Sequence, residues 1–283
     1  ASVGAVCSIS ADVPAIRAAV RAGETGIRTL TRFPELGELP VGQVAELPGT
    51  VDDGPATHRL AIAAAKEAIA GLDRPAPERI AVIVGTTTGG IEDSAHWYIH
   101  RDNPERLRFH GAGTVADAVA NAIDASGPIL TLSTACSSSA NAIALGADLL
   151  AADAADLVLA GGADALCPLT LDGFSALRLV SSEPCRPFDA DRNGLNLGEA
   201  GAFVALRRDG DALARLTGSA CTCDAHHMTA PSPTGDAVVA AITGALDAAG
   251  LTPADIDYIN AHGTATRAND AAEAKALRRV FGD

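Results

Sequence analysis

Apolar positions in this chain recur in two alternating rhythms. Residues 57–72 place them at helical spacing, and after a proline-containing loop the run Ile80-Ala81-Val82-Ile83-Val84 has the continuous apolar character of a buried strand. It ends in Gly85-Thr86-Thr87-Thr88-Gly89-Gly90. A helix is then predicted over Gly113–Ala125, a strand over Pro128–Ser133, a small-residue helix from about Ser137 to Ala152, and a strand over Leu157–Ala160 closing on Gly161-Gly162. Arg186–Glu199 reads as an ordered loop rich in Asp, Asn and Gly, and Gly201–Leu206 returns to strand. Strands alternating with helices predict an α/β architecture.

The order helix, proline loop, strand, Gly-Thr turn occurs a second time. A helical stretch at 236–249 precedes Gly250-Leu251-Thr252-Pro253, then the predicted strand Ile256–Asn260, then His262-Gly263-Thr264-Ala265-Thr266. Such an echo predicts duplicated halves. We place the first at residues 1–210 and the start of the second at 211–283, packed as one body. Only 21 residues follow His262, so the second half is expected to stop early, leaving an unpaired sheet edge and apolar surface to be covered by further sequence or a partner.

Charge narrows the class. Against 21 basic side chains stand 35 acidic ones, a net −14, which argues against nucleic-acid binding, where cations must displace counterions from phosphate. No apolar run reaches the length needed to span a bilayer and no cationic leader precedes one, so the sequence reads as soluble, cytoplasmic and membrane-free. Six cysteines without a secretory signal read as free thiols. Cys221-x-Cys223 with His226 and His227 hints at a metal site, but zinc sites space their cysteines more widely and recruit a distant second pair; we read a strand edge entering a loop, and no metal.

The strongest chemical feature is Ser133-Thr134-Ala135-Cys136-Ser137-Ser138-Ser139-Ala140-Asn141. A strand ends, the chain turns, and a cysteine opens a helix whose unpaired N–H groups favour a thiolate. The residue is either a nucleophile, with its own N–H contributing to an oxyanion hole, or a buried structural cysteine.

With three further segments, this one resembles the β-ketoacyl-ACP synthases, condensing enzymes of the thiolase-like superfamily. Arg186-Pro187-Phe188-Asp189-Ala190-Asp191-Arg192-Asn193-Gly194, continuing to Gly198-Glu199-Ala200-Gly201, resembles the family's long structural loop. Asp224–Pro231 resembles its substrate-channel segment, and Ala261–Thr266, with Asp270 and Glu273 behind it, its first catalytic-histidine motif. The resemblance implies a layered αβαβα fold with duplicated halves, the second incomplete. It implies Cys136 as the acyl carrier and His262 as a donor to the malonyl thioester oxygen. Thr229, Thr264 and Thr266 would hold the phosphopantetheine arm, and Glu273 would support the site. Turn chemistry for the threonines, a structural role for His262 and a surface role for Glu273 are the alternatives.

The implied reaction is decarboxylative extension of a Cys-bound acyl chain by malonyl-ACP, in fatty-acid or polyketide-type biosynthesis, without metal or cofactor. The implied partners are acyl carrier protein (ACP), for which Arg101, Arg106, Arg108, Arg207, Arg208 and Arg267 are docking candidates, and a second subunit in a homodimer or heterodimer. The family's later motifs, a Lys-Ser strand, a second histidine in Gly-His-x-x-Gly-Ala and a Gly-Phe-Gly turn, are absent, and neither Lys66 nor Lys275 substitutes. Activity of these 283 residues alone is therefore in question, and a non-catalytic subunit akin to a chain-length factor is the alternative. Retention of Cys136 speaks against that alternative. A thiolase acting on ketoacyl-CoA is disfavoured by the His262-Gly263-Thr264 and Asp224–Pro231 segments.

Overall fold

A computed structural model describes residues 2–282. The chain forms two compact units, one running to Gly173 and resuming over Leu197–Ala214, the other holding Phe174–Asn196 and continuing from Arg215.

The first unit is built on a five-stranded sheet. Its strands are β1 (Ser2–Cys7), β4 (Ile80–Gly85), β5 (Ile129–Leu132), β6 (Leu157–Asp164) and β7 (Ala200–Leu206), in the spatial order β1-β7-β6-β4-β5. β4 runs parallel to both β5 and β6, whereas β7 pairs antiparallel with β6 and β1. The two-residue strands β2 (Arg28–Thr29) and β3 (Pro40–Val41) form a separate ribbon.

Because side chains alternate across a strand, the apolar run of β4 supplies two cores. Ile80, Val82 and Val84 face helices α2 (Ala56–Ile69) and α4 (Gly113–Ile123), meeting Leu60, Ala64, Val115 and Val119. Ala81 and Ile83 face the other way, onto Ala142 and Leu150 of helix α5 (Ser138–Ala151). The strand is therefore covered on both faces, as parallel strands require. α2 presents Ala61, Ala64, Ala65 and Ala68 to the sheet, and a Cβ on Gly4 of β1 would lie 2.1 Å from the Ala64 carbonyl oxygen. Small residues on both sides let this helix ride on the strand backbone.

Helix α1 (Val13–Arg21) follows β1 and is capped by Asp12, whose carboxylate accepts from the Ala15 N–H. Helix α3 (Ile91–His100) follows the Gly-Thr turn, and α6 (Pro168–Ala176) follows β6. In the second unit, helices α7 (Asp236–Ala249) and α8 (Arg267–Phe281) pack on each other; Lys275 and Arg279 donate to the carbonyls of Pro233 and Thr234. Among the described residues, no helix is long and apolar enough to cross a membrane.

Three sequence expectations need correction. β6 does not close at Gly161-Gly162 but continues to Asp164, because its antiparallel ladder to β7 runs on past the end of β4, pairing Ala163 with Gly201 and Asp164 with Ala200. Residues 256–260 form no strand, and neither does the stretch entering Cys221. The internal echo nonetheless persists locally: single 3₁₀ turns at Pro77–Arg79 and Pro253–Asp255 lead into Ile80 (φ −104°, ψ 113°) and Ile256 (φ −102°, ψ 115°). Residues 256–260 thus enter on an extended backbone but have no ladder partner among the described residues, and Tyr258 stands 82% exposed. Alternation marks a strand's faces; only a neighbour makes it a strand.

Candidate active site

The nucleophile candidate sits where β5 passes into α5. Thr134 (φ −122°, ψ 39°) and Ala135 (φ 53°) break the extended chain, a 3₁₀ turn covers Ala135–Ser137, and α5 begins at Ser138. Cys136 is exposed at this point, not buried as a structural cysteine would be, whereas Cys167 is buried and its thiol is pushed above the usual range by desolvation.

Hydrogen bonds hold the turn from both sides. The Ser138 hydroxyl accepts from the Thr134 N–H (2.8 Å) and donates to the Ala135 carbonyl (2.7 Å). The Ser137 hydroxyl reaches the Thr134 carbonyl (2.8 Å), and the Asn141 amide donates to Thr134 Oγ1 (2.9 Å). Beneath the turn, the absence of side chains lets backbones approach: a Cβ on Gly85 would lie 2.4 Å from the Ser138 carbonyl carbon, and one on Gly162 2.2 Å from Ser139 Oγ. The ends of β4 and β6 thereby form the seat on which α5 starts.

Two carboxylates that the pattern analysis did not assign organise the neighbouring turns. Asp164, exposed by the longer β6, accepts from Thr86 Oγ1 (2.8 Å), the Thr87 and Thr88 N–H groups (2.9 and 2.7 Å) and Thr88 Oγ1 (2.7 Å). An acid directly after Gly161-Gly162-Ala163, facing a Gly-Thr turn, is the signal that could have found it. Glu199, 3% exposed, takes a bidentate pair from Arg32 (both 2.7 Å) and the N–H groups of Val44 and Leu166.

In the second unit, Glu273 is buried, at 8% exposure, and its two oxygens accept the N–H groups of His262 (2.7 Å) and Gly263 (2.9 Å). It grips the backbone of the histidine turn and is not a surface acid. Asp270, 1% exposed, accepts from the N–H groups of Ala265 (3.1 Å) and Phe188 (2.7 Å) and lies 3.4 Å from Arg192. The Arg192 guanidinium also donates to the Arg267 carbonyl, and the Gly194 N–H to that of Ala265. The Arg186–Gly194 loop is thus bolted to the histidine turn.

Thr264 and Thr266 stand together, hydroxyl to hydroxyl at 2.8 Å, with Thr266 immediately preceding α8 and its side chain turned to Thr264 instead of the helix N–H groups. Thr229 is exposed in the segment before α7, where His227 Nδ1 accepts its N–H (3.1 Å) and that of Ala230 (3.2 Å). The structure therefore groups His262, Thr264, Thr266 and Glu273 in one turn, Thr229 in a second loop of the same unit, and Cys136 in the first unit. Of the arginines weighed for docking, Arg208 is committed to Asp153 and Asp156, Arg106 to Asp93, and Arg101 stacks over Trp97 and Tyr98.

A cysteine on a glycine-seated strand-to-helix turn, within a mixed sheet covered by helices on both faces, describes a thiolase-like condensing fold. Known proteins agree. The family description "Beta-ketoacyl synthase, N-terminal domain" matches residues 54–212, and "Beta-ketoacyl synthase, C-terminal domain" matches 213–283. The tetracenomycin polyketide synthase ketoacyl synthase alpha subunit of Streptomyces glaucescens is 35% identical, over 92% of this chain and 71% of its own length. The chloroplastic 3-oxoacyl-acyl-carrier-protein synthase I of Hordeum vulgare is 32% identical, over 99% and 69%. The solved structure of a ketosynthase in complex with its chain length factor from Xenorhabdus doucetiae superposes with a TM-score of 0.91 at 34% identity, covering 100% of this chain and 75% of that one. The chain belongs to the β-ketoacyl synthase family, whose members are acyl-transferring condensing enzymes.

Proposed function

We propose that Cys136 carries the growing acyl chain and that the product is a β-ketoacyl thioester on acyl carrier protein. In the first stage the Cys136 thiolate attacks the acyl thioester carbonyl, and the phosphopantetheine thiolate leaves. In the second, malonyl-ACP loses carbon dioxide and its enolate carbon bonds to the acyl carbonyl, expelling the Cys136 thiolate. Charge balances across this step, because the carboxylate's negative charge ends on sulfur. Covalent storage divides one difficult condensation into two easier transfers.

The observation that carries this reading is the exposed Cys136 at the head of a helix, on a turn clamped at Thr134 and Ala135. His262, its backbone held by Glu273, serves as the donor that stabilises the developing enolate oxygen. Thr264 and Thr266, with Thr229, bind the phosphopantetheine arm. The two functional regions divide near residue 210, the cysteine before it and the histidine motif after it. The enzyme works in the cytoplasm, where free thiols persist, as a dimer with itself or with a related subunit. An edge strand, β5, with Ile129 and Leu130 each 37% exposed, supports association.

Intact-protein mass spectrometry after incubation with a medium-chain acyl-ACP tests the central step. One added acyl group, lost in Cys136→Ala, is expected. An unmodified but folded wild-type chain, assayed alone and with a related subunit, would overturn the assignment and favour the non-catalytic reading.

A further inference from the structure

Asn141 lies one helical turn beyond the serines that follow Cys136, and its side-chain amide nitrogen is directed at the turn. It donates to Thr134 Oγ1 at 2.9 Å and to Ser137 Oγ at 3.4 Å. The Ser137 hydroxyl in turn lies 2.8 Å from the Thr134 carbonyl and 3.1 Å from Thr134 Oγ1. Thr134 is thus held through its carbonyl and its side chain on this flank, and through its N–H by Ser138 on the other. The next residue, Ala135, has φ 53°, a conformation that a residue with a Cβ rarely adopts. A left-handed alanine persists only where its surroundings over-determine it. Ser138 holds Ala135 directly, its hydroxyl and its N–H both donating to the Ala135 carbonyl, whereas the bonds of Ser137 and Asn141 act on Thr134 before it.

We infer that Asn141 is a positioning residue: acting through Thr134 Oγ1, it fixes the left-handed turn that aims Cys136 at an incoming thioester. The inference rests on Cys136 being the nucleophile and adds the device that orients it. Asn141 need not touch substrate. Its effect is on geometry, and acyl transfer is steeply sensitive to the attack trajectory, so that a displacement near 1 Å costs on the order of a hundredfold. Losing one of several clamps should cost less, about tenfold. Because the contribution passes chiefly through Thr134 Oγ1, the shorter of the two bonds, removing that acceptor removes most of it too. Asn141→Ala and Thr134→Val should each slow the transfer, and their combination should slow it little further.

The experiment follows acylation of Cys136 from medium-chain acyl-ACP by site-resolved mass spectrometry, in the wild-type chain, Asn141→Ala, Thr134→Val and the double variant. Iodoacetamide labelling of buried Cys167 in the same samples reports any general loosening. The expected result is an acylation rate down about tenfold in each single variant, non-additive in the double, with Cys167 labelling and melting temperature unchanged. Asn141→Asp is the rescue: its carboxylate accepts from the Thr134 hydroxyl, restoring the link to Thr134 with the donor reversed while the Ser137 hydroxyl keeps its bond to the Thr134 carbonyl. Its maximal rate should return toward wild type, reached at a higher pH because of the added negative charge. A wild-type acylation rate in Asn141→Ala would overturn the inference while leaving the nucleophile intact. So would full additivity, or a fall in melting temperature and a rise in Cys167 labelling with no selective loss at Cys136. Absence of acylation in the wild-type chain would instead overturn the nucleophile itself, and this inference with it.

Discussion

Removing the Asp270 carboxylate should unfasten the histidine turn from the loop that supports it. In Asp270→Ala, two N–H donors lose their acceptor together, those of Phe188 at 2.7 Å and Ala265 at 3.1 Å, at a site only 1% exposed. An orphaned buried donor costs about 1–3 kcal/mol. Arg192, 3.4 Å away and 18% exposed at its side chain, also loses its counter-charge, but it keeps some water and still donates to the Arg267 carbonyl. We therefore expect a loss of about 3–5 kcal/mol, at the upper end of single-substitution effects. Asp270→Asn keeps the volume and one good acceptor, and should lose roughly half as much. Urea unfolding of the three proteins, followed by far-ultraviolet circular dichroism, measures this directly if the slope with denaturant is unchanged between them. A loss below about 1 kcal/mol in Asp270→Ala would refute the reasoning, since it would mean that water satisfies both donors and the carboxylate bolts nothing.

Two further outcomes follow from other buried groups. Burial holds the His58 imidazole neutral down to about pH 4, with Nε2 against Thr114 Oγ1 at 2.9 Å and Nδ1 without a hydrogen-bond partner among the described residues. The unfolded chain takes up this proton near pH 6.5, so stability should fall with pH from about 6.5 to 4, by about 3 kcal/mol at the lower limit. His58→Gln should flatten that slope in pH-dependent thermal melts; an unchanged slope would reject the assignment. Glu273→Ala frees the N–H groups of His262 and Gly263, and should reduce condensation with malonyl-ACP at least tenfold while acylation of Cys136 proceeds at the wild-type rate. Parallel loss of both steps, measured by mass spectrometry and product release, would show that Glu273 serves the fold alone.

What could be read in advance depended on whether the cause was local. The continuous apolar run at Ile80–Val84 announced a strand buried on both faces, and that is what α2, α4 and α5 cover. The turn at Cys136 was legible because its serines and Asn141 satisfy neighbours within seven residues. β1 and α1 were not recognised: β1 is stabilised by β7, about two hundred residues later, and no local feature reports such a partner. Asp164 was missed for the same reason, since its five bonds go to Thr86, Thr87 and Thr88, 76–78 positions away. Conversely, Ile256–Asn260 had the pattern of a strand but finds no ladder partner among the described residues.

The bond between Phe188 and Asp270 spans 82 positions, and this separation sets an order of events during synthesis. At roughly 5–20 residues per second, the Arg186–Gly194 loop emerges some 4–16 seconds before its anchor. Through that interval a segment with two arginines and two aspartates lacks this anchor, although the sheet residues before it are already available to fold. The helix that fastens the loop is also the one that presents the histidine turn, so the two become ordered in a single late event. A chain held on a ribosome stalled before Asp270 would thus lack the carboxylate that fastens both this loop and the histidine turn.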